Sequence, residues 1–118
     1  MSFDWMKFLD LAKELENNKN EEYIRTSISR KYYGLFCTIR DLIKCEENKK
    51  NNVHFVVIKA LKTSEKPDEK WIGSLLDSLR RLRNKADYDG KHITEREFDY
   101  CIKDADEIKN WVLSQAKK

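Results

Sequence analysis

The sequence predicts an all-α fold, an up-and-down helical bundle of about five helices, and three observations lead there. Apolar residues recur at spacings of three and four along most of the chain, the signature of helices with one buried face. Only three Gly and one Pro interrupt it, too few turn signals for a many-stranded sandwich or barrel. Charged residues make up 38% of the chain beside 40% hydrophobic, a balance that suits helices with solvated outer faces around a packed core. At 118 residues the chain is expected to form one domain, spanning 1–118.

The first helix is read from Asp4 to Leu15, where Trp5, Phe8, Ala12 and Leu15 share a face. Polar Asn17-Asn18-Lys19-Asn20 follows. A second, longer helix is expected from about Glu21 to Cys45, on the stripe Ile24, Ile28, Tyr32, Leu35, Ile39 and Leu42. Tyr33 and Phe36 widen that stripe, so this helix should sit centrally and touch several neighbours. Val53 to Ile58 has the β-branched and aromatic content of a strand. With no second strand to pair with, and with the apolar pattern running on to Lys62, a helix from about Asn52 to Lys62 is preferred.

Lys66-Pro67-Asp68 marks a break and restart, because proline fits a first helical turn. The fourth helix, about Asp68 to Tyr88, carries Ile72, Leu76, Leu79 and Ala86, with Gly90 as its expected terminator. The last helix opens on Thr94-Glu95-Arg96-Glu97, a capping box, and continues with Phe98, Cys101, Ala105, Ile108 and Val112 on its inner side. Gly34 lies inside the second helix, where it costs about 1 kcal/mol relative to alanine, so it is expected to admit a close neighbour, from this chain or a partner.

Composition excludes several function classes. A formal net charge of +3 is too small to announce a nucleic-acid binder, so any such role must come from local clustering. Cys37, Cys45 and Cys101 are odd in number and lack CxxC spacing, which points to reduced core thiols. His54 and His92 stand isolated, with no HExxH, so no metal is expected; the lack of a glycine-rich phosphate loop argues for no cofactor. The N-terminal stretch mixes charge with apolar residues and resembles neither a signal peptide nor a membrane span, so a cytoplasmic protein with no membrane partner is expected.

The informative stretch runs from Leu79 to Tyr88. Cations in the last turns of a helix are favoured by its dipole, and Asp77 can pair with Arg81, so Arg80, Arg81 and Lys85 have a structural explanation. Arg83 is different, because it shares the register of Ile72, Leu76 and Leu79 on the inner stripe. A buried, unpaired guanidinium is costly. A structural account pairs it with Asp87 one turn on, although an acid at a helix C-terminus is itself disfavoured. A functional account makes it a phosphate ligand, since breaks in local rules concentrate at functional sites.

Two segments resemble the HEPN family. Ser29-Arg30-Lys31-Tyr32-Tyr33-Gly34-Leu35-Phe36 is similar to its serine-arginine-x-tyrosine-tyrosine signature, and Leu82-Arg83-Asn84-Lys85-Ala86-Asp87-Tyr88-Asp89 to its arginine and alanine-aspartate-tyrosine-aspartate segment. The resemblance implies a helical bundle that commonly dimerises and brings basic residues into one cleft, often for metal-independent RNA cleavage. Arg83 and Asn84 match the start of the catalytic signature, but the His expected after four to six intervening residues is missing. Tyr88, Asp89 and Gly90 occupy those places, and His92 lies beyond.

Without an imidazole to move a proton near neutral pH, binding is easier to support than cleavage. The first reading is therefore an RNA- or nucleotide-associated module, expected as a homodimer. Its expected catalytic set is Arg83, Asn84, Asp87 and Tyr88, with Arg30, Tyr33, Arg80, Arg81 and Lys85 as nucleic-acid contacts. The resemblance leaves two alternatives. One is a non-catalytic partner subunit of a nucleotidyltransferase in a toxin-antitoxin or defence system, and the other is an endoribonuclease toxin in which Asp87 or Tyr88 replaces the His.

Overall fold

The computed structural model describes residues 3–43 and 52–116. It contains five helices in the order expected: α1 (Lys7–Leu15), α2 (Glu21–Leu42), α3 (Val53–Lys62), α4 (Pro67–Tyr88) and α5 (Glu95–Ala116). No strand occurs among the described residues. The bundle is built around α2, which packs on α1, α4 and α5 and also meets α3. Ten residues of α2 are buried, among them Ile28, Tyr32, Leu35, Phe36 and Ile39, so it is the axis that the widened stripe predicts.

α1 starts later than its apolar spacing suggests, because Asp4 to Met6 form a turn in which the Asp4 side chain accepts from the Met6 amide at 3.0 Å. It lies close against α2 for a local reason. Ser27 and Gly34 present a low surface: Ser27 Oγ donates to the Ala12 carbonyl at 2.8 Å, and a Cβ on Gly34 would stand 2.9 Å from the Trp5 carbonyl oxygen. Gly34 thus admits the chain's own N-terminal region. Gly73 does the same on α4, where a Cβ would meet Leu61 Cβ at 2.9 Å.

The strand-like segment is helical, as preferred. Asn52 caps α3 by accepting from the His54 amide at 2.8 Å, and Val57, Ile58 and Leu61 turn inward. Pro67 sits in the first turn of α4. The capping box of α5 forms: Glu97 N donates to Thr94 Oγ1 at 3.1 Å and Thr94 N to Glu97 Oε1 at 3.0 Å. Cys37 and Cys101 are free, buried thiols, and burial pushes Cys101 up to about 12. Cys45, at the expected end of the second helix, lies outside the described residues.

Gly90 is not the terminator of α4. Its backbone is not left-handed, and α4 ends on Asp89 in extended conformation. Carbonyls at this end are instead gathered by Arg25 from the start of α2, which donates to those of Lys85 (3.2 Å), Ala86 (3.0 Å), Asp89 (2.6 Å) and Lys91 (2.6 Å). Its Nε donates to Glu21 at 3.0 Å, and Glu21 in turn pairs with His92. This clamp fixes the end of α4, where Arg83, Asp87 and Tyr88 are carried.

A candidate phosphate-binding site between two helices

α2 and α4 run antiparallel, since Arg25 meets residues 85–89, Ser29 meets Asp87 and Tyr32 meets Arg83. That arrangement joins the two sequence motifs in space. Arg30 Nη2 donates to Ser29 Oγ at 3.3 Å, Ser29 Oγ donates to Asp87 Oδ2 at 3.2 Å, and Arg83 Nε lies 2.9 Å from the same oxygen. Two guanidiniums thus share one carboxylate, Arg83 directly and Arg30 through a hydroxyl.

Arg83 is half-buried rather than part of the core, its side chain 18% exposed. The ion pair with Asp87 forms, but Nε is buried without an aligned acceptor, so the contact is coulombic and not a directed hydrogen bond. Nη1 donates to Asn84 Oδ1 at 3.3 Å, and the guanidinium carbon stands 5.9 Å from the Tyr32 ring and 5.5 Å from that of Tyr88. Tyr88 is 77% exposed, an open ring beside the guanidinium.

Arg30 stands over the rings of Phe8 (5.0 Å) and Tyr33 (5.4 Å), and Tyr33 belongs to an aromatic cluster with Trp5 and Phe8. The remaining sequence-nominated cations divide. Arg81 pairs with Asp77 at 2.8 Å and Lys85 with Glu97 at 2.9 Å, so both are engaged away from the Arg30–Arg83 chain. Arg80 forms no ion pair or hydrogen bond with the described residues, and its charge acts on both Tyr32 and His54.

His54 is the residue that sequence reasoning set aside and the fold brings in. From α3 its Nδ1 meets the Tyr32 hydroxyl at 2.6 Å, and its ring stacks on Phe36 at 4.1 Å. Burial, followed by the charges of Arg80, Arg83 and Arg40, holds the imidazole down to about 4. Burial also raises the Tyr32 phenol, so this pair is neutral at physiological pH and forms an uncharged wall to the cationic site. Nothing in the sequence flags His54, because its partner is 22 positions away. Ser29 was legible only as part of a motif, without its role.

A pH dependence follows. An imidazole held near 4 in the fold and at about 6.5 when unfolded binds fewer protons folded, so its contribution to stability is present above pH 6.5 and is lost as pH falls toward 4. Allowing for solvent screening of this partly exposed ring, the parent should lose about 1 kcal/mol more than His54→Gln between pH 7 and pH 5. Urea unfolding at the two pH values measures it, and equal losses would show that His54 does not titrate as stated.

Fold and site together define a small all-α bundle in which arginines of α2 and α4 meet around Asp87. The chain belongs to the HEPN domain family, whose model matches residues 6–115. It is also similar to uncharacterized protein MJ0628 of Methanocaldococcus jannaschii, at 30% identity over 104 residues covering 73% of this chain. The match spans 61% of that protein's own length. No solved structure matches the chain. No described helix is long and apolar enough to cross a membrane, and the described residues bring together no group of three or more His, Cys, Asp or Glu placed to hold a metal ion.

Proposed function

We propose that this HEPN-family chain is an RNA-associated module that holds the phosphate backbone between Arg83 of α4 and Arg30 of α2, with Asn84 and Arg80 at the rim. The observation that carries the reading is the Arg30–Ser29–Asp87–Arg83 chain, which gathers two guanidiniums around one carboxylate beside the open Tyr88 ring. A guanidinium is suited to a phosphate, which accepts two parallel hydrogen bonds. Binding is favoured over cleavage because Tyr88, Asp89 and Gly90 occupy the places of the family's His. Asp87 is already engaged by Arg83 and Ser29. A homodimer acting in the cytoplasm is part of this reading. The transferase-partner and toxin readings rest on the family resemblance, and no described contact favours either over binding.

Fluorescence anisotropy of a labelled single-stranded RNA over a salt series tests the proposal. Arg83→Ala should weaken binding by roughly tenfold or more and reduce the salt slope by about one. Unchanged affinity and slope would reject the site. Metal-free incubation of the same RNA should leave it intact.

A further inference from the structure

A groove of about 400 Å³ opens between α3 and α4, lined by Phe55, Ile58, Lys59, Lys62, Asp77 and Arg80 among others. Its walls are apolar and its rim cationic. Phe55 leaves 49% of its surface exposed at the edge, and the Lys59 ammonium stands 5.7 Å from its ring. The cations around the groove differ in occupancy. Lys62 is held by Asp77 at 2.6 Å, and Arg81 takes the same carboxylate oxygen.

Arg80 and Lys59 have no anion among the described residues, and of the two Arg80 is half-buried. It precedes Arg83 by about one helical turn on α4, so the groove continues the cationic line of the candidate site toward α3. A half-buried guanidinium without a counter-ion is costly, and a phosphate ester would neutralise it.

We propose that this groove is a nucleotide subsite of single-stranded RNA, in which a base stacks on Phe55 while its adjoining phosphate is held by Arg80, with Lys59 at the rim. This rests on the RNA reading above and adds the course of the strand, from Arg83 across α4 to α3. Stacking on a phenyl ring accepts any base, so the subsite selects single strands and not sequences. The free charges in the groove are the half-buried Arg80 guanidinium, continuous with the Arg83 site, and the Lys59 ammonium at the rim, which favours a phosphodiester strand over an apolar helix of a partner protein.

Anisotropy with a labelled oligouridylate and with the same strand carrying abasic positions tests the subsite on the full chain. Phe55→Ala should weaken binding of the intact strand roughly 5- to 100-fold and leave the abasic strand unaffected, and Phe55→Trp should restore affinity. Arg80→Ala should weaken both strands. An intact-strand affinity unchanged by Phe55→Ala, or an equal loss on both strands, would overturn the proposal. Arg83→Ala run in parallel separates the two claims. If it weakens binding while Phe55→Ala does not, the subsite falls and the RNA reading stands. If the parent binds neither strand at low salt, both fall and the groove is left to a protein partner.

Discussion

Replacing Arg25 with alanine is expected to lower the free energy of unfolding by about 2–4 kcal/mol, more than any other single change to a polar side chain on the α2–α4 face. One guanidinium serves the carbonyls of Lys85, Ala86, Asp89 and Lys91 and the carboxylate of Glu21. The last carbonyls of a helix have no partner within it, and no left-handed residue follows α4 to fold the chain back on them. Each hydrogen bond from a charged donor contributes about 1.5–3 kcal/mol, and water replaces part of that at a half-exposed helix end. Arg25→Lys should recover less than half, because a point ammonium cannot span acceptors spread over one fork. Urea unfolding gives the number, and a midpoint equal to the parent's would refute the clamp.

The second large effect concerns Lys31, buried in α2 with its side chain 7% exposed and paired with Glu16 beyond the end of α1. Glu16→Ala leaves an ammonium in a cleft lined by Leu9, Ile102 and Ala105, with Asp10 and Asp106 the remaining acids on its walls. The expected cost is about 2–4 kcal/mol, chiefly the desolvation of the charge left behind. The pair itself is worth much less, because bringing both ions out of water offsets most of their attraction. Glu16→Ala combined with Lys31→Met should therefore be more stable than Glu16→Ala alone. A double variant no better than the single one would mean that Lys31 reaches water without its partner.

The helices were legible because each carries its own period. The stripe Ile28, Tyr32, Leu35 and Ile39 has one solution, and Thr94 with Glu97 announces a helix start through groups only three positions apart. Val53 to Ile58 is harder, since its composition suits a strand, and the missing pairing partner together with the apolar pattern running on to Lys62 decides it. What escaped the sequence depends on contacts far apart along the chain. Arg25 reads as an ordinary exposed cation until α4 returns beside it, and the same return makes Gly90 unnecessary as a cap. His54 looked isolated because Tyr32 and Phe36 reach it only through the packing of α3. Arg83 was found because it breaks the pattern of its own helix, a conflict visible in one dimension, whereas Ser29, its indirect link to Arg30, breaks none.

The shared carboxylate of Asp87 would give the proposed phosphate site a built-in competitor. Any incoming anion must outdo an acid already tethered beside Arg83 and steadied by Ser29, at an effective concentration no free ion in solution approaches. Chloride or acetate, each offering a single weak contact, would be turned away. A ligand engaging Arg83, Arg30 and Arg80 at once has the multiplicity to displace it. If the site holds phosphate as proposed, it would reject isolated charges and reward polyanions, a discrimination set by occupancy instead of shape.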